Sequence, residues 1–218
     1  MKTELTKQLE KWSGEFGRNY TNRNLYGVRQ LDDFYKKTWG TARREMNRQF
    51  LLPIKGKISR LLEVGSNVGN QLATLQNQGF ENLYGVEIQH YAVEKSKSLT
   101  KNINIIQGSA FDIPFKDGYF DLVFTSGVLI HIAPKDLPKA LDEIFRCSRR
   151  FIWGFEYYGD RHTEIKYRGN NDLLWKANFR EIYLKLFKSL KLVKCKKFKY
   201  VGSEQVDEMF LLEKKSHQ

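Results

Sequence analysis

Two segments decide the expected fold, Leu61-Leu62-Glu63-Val64-Gly65-Ser66-Asn67-Val68-Gly69-Asn70 and Tyr84-Gly85-Val86-Glu87. The first is an apolar strand that runs into a glycine turn, and the second is a strand that ends in a carboxylate. Glycines let the backbone approach a ligand without an intervening Cβ, and a carboxylate at the end of the next strand can accept both ribose hydroxyls. The pair therefore predicts a nucleoside-binding site.

Two details of the turn distinguish it from the turn of NAD enzymes. Glu63 lies two residues before Gly65, and the third position of the spaced glycine series is Asn67. Asparagine is the residue that best tolerates left-handed backbone geometry in place of glycine. The pattern E-x-G-x-N-x-G, with V-E on the next strand, resembles motif I and the following acidic loop of class I S-adenosylmethionine (SAM) methyltransferases. The alternative is a core strand with a tight turn and no ligand.

Strand and helix signals alternate along most of the chain. Strands are predicted at about 58–64, 81–87, 103–107, 120–125, 151–156, 191–200 and 206–213, and helices at about 69–79, 89–100, 135–147 and 174–189. This alternation predicts an α/β fold with a doubly wound, mainly parallel, seven-stranded sheet and an antiparallel last strand, Rossmann-like as in class I methyltransferases. Residues 1–50 are expected to form a helical N-terminal cap in the same domain as residues 51–218.

Length and cysteine content exclude several other classes of protein. A chain of 218 residues can bury one substantial core and is short for a dehydrogenase with a separate substrate domain. Cys147 and Cys195 form no CxxC or Cys/His cluster, so neither a metal site nor a disulfide framework is expected. No apolar stretch approaches the length of a membrane span, and Met1–Lys7 leads into a polar helix instead of a signal-peptide core. A cytoplasmic protein is the expectation; the oligomeric state stays open.

The formal net charge of +12 is distributed unevenly. Residues 1–60 and residues 146–218 each have a net charge of +8, whereas residues 61–145 have a net charge of −4. The basic flanks are expected to supply the cap and the acceptor side of the fold. This favours an acidic acceptor, such as a carboxylated sugar, a nucleotide-sugar or a nucleic acid. The alternative is that the lysines and arginines only solvate exposed helices.

The residues that follow each strand are the candidates for cofactor binding, because open α/β sheets bind ligands beyond the carboxyl ends of their strands. The turn after the first strand would face the methionine part of SAM, and Glu87 would hold the ribose. Residues 108–115 resemble the adenine-contacting segment of the methyltransferases, although Ser109 replaces the acidic residue of many members. The predicted cofactor-binding residues are Glu63, Gly65, Ser66, Asn67, Gly69, Glu87, Ile88, Ser109, Ala110 and Ser126, with Tyr20 and Arg23 from the cap.

His131, which follows the fourth strand, is the first catalytic candidate. Its imidazole titrates near neutrality and could take the proton from an acceptor hydroxyl or amine as the methyl group is transferred. The alternative is a packing histidine that closes the pocket and orients the substrate. Many such transfers can also proceed mainly by positioning and desolvating the two reactants.

Three further segments resemble the pseudaminic acid biosynthesis-associated methyltransferase family. They are Glu15-Phe16-Gly17-Arg18-Asn19-Tyr20-Thr21-Asn22-Arg23-Asn24, Gly127-Val128-Leu129-Ile130-His131-Ile132, and Glu156-Tyr157-Tyr158 with Tyr167-Arg168-Gly169. The resemblance extends from about Trp12 to Lys214, and the combination of F-G-x-x-Y-x-x-R-N with E-Y-Y and Y-R-G is more specific than the SAM motifs. The resemblance implies a class I fold and SAM as the cofactor. Through the family's name and its usual biosynthetic pathway, it also implies a nonulosonate sugar or its nucleotide-activated form as the acceptor.

These residues also predict a crevice for the acceptor. Glu156, at the end of the fifth strand, is the second catalytic candidate, because its carboxylate could hydrogen-bond an acceptor hydroxyl or amine. Arg168, or Arg23 closing over from the cap, could clamp a carboxylate or phosphate. The predicted substrate-binding residues are Tyr157, Tyr158, Tyr167 and Arg168. The alternative is that the adjacent tyrosines cover the sheet edge and that Arg168 pairs with an acid on the surface.

Residues 191–200 interleave lysines with aromatic side chains. Such a run can bind nucleic acid, or its lysines can guard an edge strand against association. The alternative functions are therefore a nucleic-acid or ribosome-associated methyltransferase, another small-molecule methyltransferase acting on an amine or carboxylate, and a SAM-binding regulatory or structural protein without catalysis. The absence of an Asn/Asp-Pro-Pro-Tyr motif after the fourth strand disfavours N-methylation of a base.

Overall fold

The computed structural model describes residues 6–215, so most of the segment Met1–Lys7 lies outside the described residues. The helices are α1 (Lys7–Ser13), α2 (Glu15–Arg23), α3 (Val28–Trp39), α4 (Arg43–Leu51), α5 (Asn70–Gln76), α6 (His90–Leu99), α7 (Leu137–Cys147) and α8 (Phe179–Leu186), with short 3₁₀ helices at Leu52–Lys57 and Leu129–His131. The strands are β1 (Leu61–Val64), β2 (Leu83–Glu87), β3 (Ile103–Gln107), β4 (Phe120–Ser126), β5 (Ser148–Tyr157), β6 (Thr163–Glu164), β7 (Trp175–Lys176), β8 (Leu190–Lys199) and β9 (Val206–Lys214).

Seven strands form one sheet in the order β3-β2-β1-β4-β5-β9-β8. β1 is buried along its whole length and pairs in parallel with β2 and β4, so that Glu63 lies opposite both Gly85 and Phe124. The strand order reverses direction between β1 and β4. The loops that follow these two strands therefore diverge, and in open α/β sheets the crevice between such loops is the place where ligands bind.

β9 reverses the direction of the chain within the sheet. It runs antiparallel to β5 on one side and to β8 on the other. β8 forms the edge of the sheet, and most of its residues are exposed. The predicted mainly parallel, seven-stranded sheet with an antiparallel last strand is confirmed.

Alternating strand residues enter two apolar clusters, one on each face of the sheet. Leu62 and Ile152 pack with α7 and α8, whereas Leu61 and Trp153 pack with α3, α4 and α5. The buried residues of α7 recur at helical spacing: Leu137, Ala140, Leu141, Ile144 and Cys147. Helices thus cover both faces of the sheet, and the loops that follow the strands extend from this packed core.

The segment between β5 and α8 differs from the prediction of a helix over about 174–189. α8 begins only at Phe179, where the side chain of Asn178 accepts a hydrogen bond from the backbone N–H of Glu181 at 3.1 Å and caps the helix. The preceding β7 pairs with β6 as a separate two-stranded sheet. Strands of two residues show no alternation, so the sequence pattern cannot indicate them.

α1 and α2 form a cap over the crevice and bury little of their own surface. α1 has no buried residue, and α2 buries only Gly17 and Thr21. They are held by hydrogen bonds, among them one of 2.9 Å from Gln8 Nε2 to the carbonyl of Asp172, and by partly buried side chains such as Leu9 and Trp12. Within residues 6–215, no helix has the length and apolar character needed to span a bilayer.

Candidate active site

A cavity of about 230 Å³ lies between the cap and the carboxyl ends of β1, β2, β3 and β4. Its walls are the loops that follow these strands together with parts of α1, α2 and α3. The predicted cofactor residues that line it are Tyr20, Glu63, Gly65, Ser66, Asn67, Glu87, Ile88, Ala110 and Ser126. The fold therefore gathers most of the predicted cofactor residues in one place.

The turn after β1 has the left-handed geometry that its sequence indicates. Asn67 has φ +47°, in the region that asparagine tolerates better than other side chains that have a Cβ. Its backbone N–H donates to Oε2 of Glu87 at 2.8 Å, and its side-chain Oδ1 accepts from the hydroxyl of Thr21 at 3.0 Å. Asn67 thus connects the turn to the second strand and to the cap.

Glu87 has the geometry expected of a ribose-binding carboxylate. One oxygen accepts from Asn67, and the other accepts from the backbone N–H of Gln89 at 2.8 Å. Burial raises the pKa of Glu87, while these backbone hydrogen bonds lower it. Each carboxylate oxygen has a second lone pair, so both can still accept a ligand hydroxyl.

Four buried polar atoms of cavity-lining residues have no hydrogen-bond partner among the described residues: the donor Trp12 Nε1 and the possible acceptors Glu63 Oε2, Ser66 Oγ and Gln71 Oε1. Burial raises the pKa of Glu63, Arg43 lowers it, and Glu87 adds a smaller upward effect. Unsatisfied buried polar atoms are costly, and a ligand that offers donors would satisfy the possible acceptors. The amino-acid end of SAM has such a donor in its ammonium group, so the cavity fits this cofactor.

Two predicted cofactor residues have other contacts. The hydroxyl of Ser109 accepts from the backbone N–H of Phe111 at 3.1 Å and stabilises the turn, while Ala110 and Phe111 line the cavity. Gly69 has φ +86° and precedes α5 outside the cavity, and a Cβ there would lie 2.8 Å from Ile105. Gly69 therefore serves packing of α5 and β3.

His131 lies in the cavity wall with one ring nitrogen fixed. Its Nδ1 is 2.6 Å from the carbonyl oxygen of Leu173. A carbonyl only accepts, so Nδ1 holds the hydrogen and Nε2 of the neutral ring is a proton acceptor. Burial lowers the pKa of His131 to about 4, although the bond to Leu173 raises it. The imidazole is therefore neutral at pH 7.

Glu156 lies below the 3₁₀ helix that contains His131 and does not line the cavity. It is 2% exposed, and its carboxylate accepts from the backbone N–H groups of Val128 at 3.2 Å and Ile130 at 3.4 Å. Burial raises its pKa to about 7 against the lowering effect of these bonds. The geometry gives Glu156 a positioning role for the His131 segment and does not favour direct contact with substrate.

Of the predicted acceptor residues, only Tyr167 comes close to His131, with ring centroids 5.3 Å apart. Tyr157 is partly buried beside Tyr200, and Tyr158 lies under Lys197 and bonds to Asp160, so both cover the end of the sheet. The two predicted clamps, Arg23 and Arg168, are exposed and do not line the cavity.

Gln89 and Trp12 also belong to the site, although the sequence analysis does not predict them as site residues. Both line the cavity, and Trp12 packs on His131. The Nε2 atom of Gln89 lies 3.1, 3.0 and 2.8 Å from the carbonyl oxygens of Trp12, Ser13 and Gly14 at the end of α1. Gln89 could have been predicted as a site residue from its position two residues after Glu87. Nothing in the sequence indicates that its side chain contacts the end of α1.

Residues 62–150 match the model of a family described as "Methyltransferase domain". An uncharacterized methyltransferase of Staphylococcus carnosus is 26% identical over 125 residues, which are 52% of this chain and 56% of that protein. The first two curated relatives are covered over only 38% and 56% of their length. Among the described residues no cluster of His, Cys, Asp and Glu could hold a metal ion.

Solved structures of methyltransferases share the fold. A SAM-dependent methyltransferase of Leishmania major superposes with a TM-score of 0.71 at 16% identity, covering 96% of this chain and 87% of that chain. The 1,6-didemethyltoxoflavin-N1-methyltransferase of Burkholderia thailandensis, solved with S-adenosylhomocysteine, gives a TM-score of 0.66 at 13% identity over 93% and 90%. These structures show the shared fold, and the family match over residues 62–150 shows a methyltransferase domain in that part of the chain, in agreement with SAM as the predicted cofactor.

Proposed function

We propose that this chain, which contains a class I SAM-dependent methyltransferase domain, transfers the methyl group of SAM to an oxygen or nitrogen of a small acceptor beside His131. The observation that supports this best is the orientation of the imidazole, whose Nδ1–H is bound by Leu173 and whose Nε2 is unprotonated. A hydroxyl or amine loses a proton when it is methylated, and the position of His131 in the cavity wall supports Nε2 as the atom that accepts it.

Different residues of the chain bind SAM and accept the proton of the acceptor. SAM, when bound, supplies an electrophilic methyl group and leaves as S-adenosylhomocysteine. Glu87 would hold the ribose hydroxyls, and the backbone at Gly65 and Asn67 would face the methionine part. His131 Nε2 takes the proton of the acceptor, and Trp12 shields this position from water.

We infer that the acceptor is a small acidic metabolite, with a nonulosonate sugar or its nucleotide-activated form as the specific candidate. The resemblance of the F-G-x-x-Y-x-x-R-N, E-Y-Y and Y-R-G segments supports it. Trp12 and Tyr167 flank His131 with ring centroids 4.5 and 5.3 Å from the imidazole, and Phe16 packs on both of these rings at 5.2 and 6.1 Å. These aromatic rings support a sugar ring as the acceptor. Arg168 follows Tyr167, and its exposed guanidinium is a cation for the acidic group.

A nitrogen acceptor is the second candidate. The cavity wall within the described residues includes the carboxylates Glu63 and Glu87 and neither lysine nor arginine. This charge distribution favours a neutral or cationic ligand close to the methyl position. The Burkholderia structure is that of an enzyme that methylates N1 of its substrate.

Nucleic acid is a weaker candidate because the lysines of β8 lie at the sheet edge and make local contacts. Lys191 pairs with Glu213 at 3.0 Å and Lys199 with Glu204 at 2.8 Å. Lys194 donates to the carbonyl of Gln49 at 2.7 Å. Three strands, β4, β5 and β9, separate β8 from β1 and its cofactor turn.

Incubation of the protein with methyl-labelled SAM and separate acceptors tests the function. The panel contains carboxylated sugars, nucleotide-sugars, small amines, tRNA and DNA, with the His131→Asn variant as the matched control. Label on a carboxylated sugar or nucleotide-sugar supports the acidic acceptor, and label on an amine selects the second candidate. Label confined to nucleic acid, with binding that falls steeply with salt, would overturn both.

A further inference from the structure

α4 and the 3₁₀ helix that follows it present an exposed strip of side chains at helical spacing. Arg48 and Leu52 lie four residues apart, and Leu52 keeps helical backbone geometry before the chain continues to Lys55. Residues three and four apart are neighbours on a helix surface, so these side chains adjoin. Arg48 is exposed, and Leu52 is 55% exposed. Glu45 is the only carboxylate in residues 43–57, so the strip is basic around one exposed leucine.

Two lysines of β8 extend this strip onto the neighbouring sheet edge. Lys194 Nζ donates to the carbonyl oxygen of Gln49 at 2.7 Å, and Lys196 Nζ donates to Gln49 Oε1 at 3.1 Å. Gln49 directly follows Arg48, so both lysines lie beside the strip. The surface formed in this way, called the basic face below, consists of Arg48, Leu52, Lys55, Lys194 and Lys196.

The lysines of the basic face bond to neutral oxygens, which leave their charge uncompensated. Lys55 Nζ donates to the carbonyl oxygen of Gln78 at 2.8 Å, and both lysines of β8 bond to Gln49. Within residues 6–215 none of the four cations takes part in an ion pair, whereas Lys191 and Lys199 on the same strand pair with acids. An ammonium group has three donors, so each lysine can still bind a further oxygen.

The side chains of the basic face have the chemistry of a surface that binds anionic lipids. Lysine binds phosphate as a point charge and lacks the planar fork of arginine, so a lysine-rich surface suits many mobile headgroups better than one fixed phosphate. Basic side chains near a membrane are attracted by its anionic lipids. An exposed apolar side chain among them, here Leu52, can enter the boundary between headgroups and acyl chains.

The aromatic rings in this region do not favour a single-stranded nucleic acid as the partner. Proteins that bind single strands stack the bases on exposed rings. Phe50 and Phe198 are buried beneath Lys194 and Lys196, with ring centroids 5.1 and 5.0 Å from the ammonium nitrogens. The basic face therefore has the charge that an anionic surface requires and lacks exposed rings for stacking.

We propose that the basic face docks the protein on an anionic lipid surface. The four cations contact the anionic headgroups, and Leu52 inserts between them. No residue of the basic face lines the cavity, so the proposal does not depend on the proposed methyl transfer.

Sedimentation of the protein with lipid vesicles tests the proposal. One set of vesicles is pure phosphatidylcholine, which has no net charge, and the other is a mixture of phosphatidylcholine with anionic phosphatidylglycerol. The protein should sediment with the anionic vesicles only, and added salt should release it, because salt screens exposed charges. Equal binding to both vesicles, or binding to neither, would overturn the proposal.

Charge variants locate the effect on the surface. The double variant Lys194→Gln/Lys196→Gln should bind anionic vesicles about 30-fold more weakly, because each basic side chain near an anionic membrane contributes a factor of about five. The matched control is Lys185→Gln/Lys188→Gln, which removes two exposed lysines in and after α8, on the opposite face of the sheet. The control should bind like the wild type. Equal weakening in both double variants would show an effect of net charge alone and overturn the proposal.

An apolar variant tests the inserted leucine. Leu52→Ser should weaken binding to anionic vesicles about fivefold to tenfold, because its side chain no longer loses apolar surface to the bilayer. Leu99→Ser is the matched control, since Leu99 on α6 is 54% exposed, and it should bind normally. Melting temperatures and S-adenosylhomocysteine affinities should stay unchanged in all four variants. Unchanged vesicle binding by Leu52→Ser would contradict the docking of this face, and so would a wild type that binds tRNA but not anionic vesicles.

Discussion

The indole of Trp12 packs on the imidazole of His131 with ring centroids 4.5 Å apart and an angle of 52° between the planes. One residue belongs to the cap and the other to the segment after β4, so the contact joins the roof of the cavity to the wall that contains His131. Enclosure by this ring and by Tyr167 explains why burial lowers the pKa of His131 to about 4. The histidine is therefore a weak base that is available at every physiological pH.

Replacing His131 with Asn should lower turnover by about 10²–10⁴-fold while leaving SAM affinity nearly unchanged. A base is inactive when protonated, so the rate of the wild type should fall only as the pH approaches the lowered pKa of about 4, and no limb should appear near 6.5. Initial rates and calorimetry of SAM between pH 4 and 8 check both points. Near-native turnover in His131→Asn would assign catalysis to positioning alone.

Glu87→Ala should weaken the binding of S-adenosylhomocysteine by about 1.5–3 kcal/mol, because it removes a buried carboxylate that can accept ribose hydroxyls. The variant also removes the bonds from the backbone of Asn67 and Gln89, so its melting temperature must be measured beside the calorimetry. Glu81→Gln, an exposed acid shortly before β2, is the control and should bind normally. Unchanged affinity in folded Glu87→Ala would remove Glu87 from the site.

Gln89→Ala should loosen the cap, because one side chain bonds to three successive carbonyl groups at the end of α1. We expect trypsin to cut sooner after Lys11 and Arg18, and S-adenosylhomocysteine to dissociate about tenfold faster, since an unmade buried hydrogen bond costs about 1–3 kcal/mol. Stopped-flow dissociation and timed proteolysis measure these changes. Gln107→Ala, which loses only a 3.4 Å bond on the next strand, should behave like the wild type.

Two buried acids should make the free energy of unfolding fall between pH 5.5 and pH 8.0. Burial raises the pKa of Glu156 and of Asp207 to about 7 in the folded protein. Between the unfolded values near 4 and the folded values near 7, the native state binds more protons, so stability decreases as the pH rises. Buried His131 acts in the opposite direction, because its folded pKa of about 4 lies below its unfolded value near 6.5 and its contribution to stability grows as the pH rises. Urea unfolding should therefore show a net loss on the order of 2 kcal/mol.

The variant Asp207→Asn should flatten this pH dependence, because an amide does not titrate. Glu81→Gln again serves as the control, since its side chain is exposed. A wild type that is more stable at pH 8.0 than at pH 5.5 would contradict the assignment of these two groups. So would an Asp207→Asn protein with the full slope of the wild type.

The cavity wall formed by the turn after β1 and by Glu87 could be predicted because its determinants are local. The turn at Gly65 and Asn67 follows directly from strand and glycine spacing, and Glu87 ends the next strand of the pattern. The hydrogen bond between Asn67 and Glu87 joins residues only 20 positions apart. Residues this close in sequence form a local geometry that a sequence pattern can indicate.

The part of the candidate site that contains His131 depends on contacts between residues that are distant in sequence. Arg43 reaches Ser126 across 83 positions, and the carbonyl that fixes the tautomer of His131 comes 42 positions later. The pattern places Glu156 correctly on β5, but it cannot show that its carboxylate accepts the backbone N–H groups of Val128 and Ile130. Tertiary packing supplies these contacts, so the predicted substrate contact of Glu156 is not favoured by the structure.

The contacts that attach the cap also constrain the order in which the chain can fold during its synthesis. α1 contacts Asp172 through Gln8, at a separation of 164 residues, and Gly14 contacts Gln89 at a separation of 75. A ribosome adds residues in order, so the earliest helix emerges long before the surfaces that hold it. Non-local contacts of this kind form late, because the intervening chain must first be ordered. The contact between Gln8 and Asp172 can therefore form only after the final third of the chain has begun to appear, long after α1 itself has been synthesised.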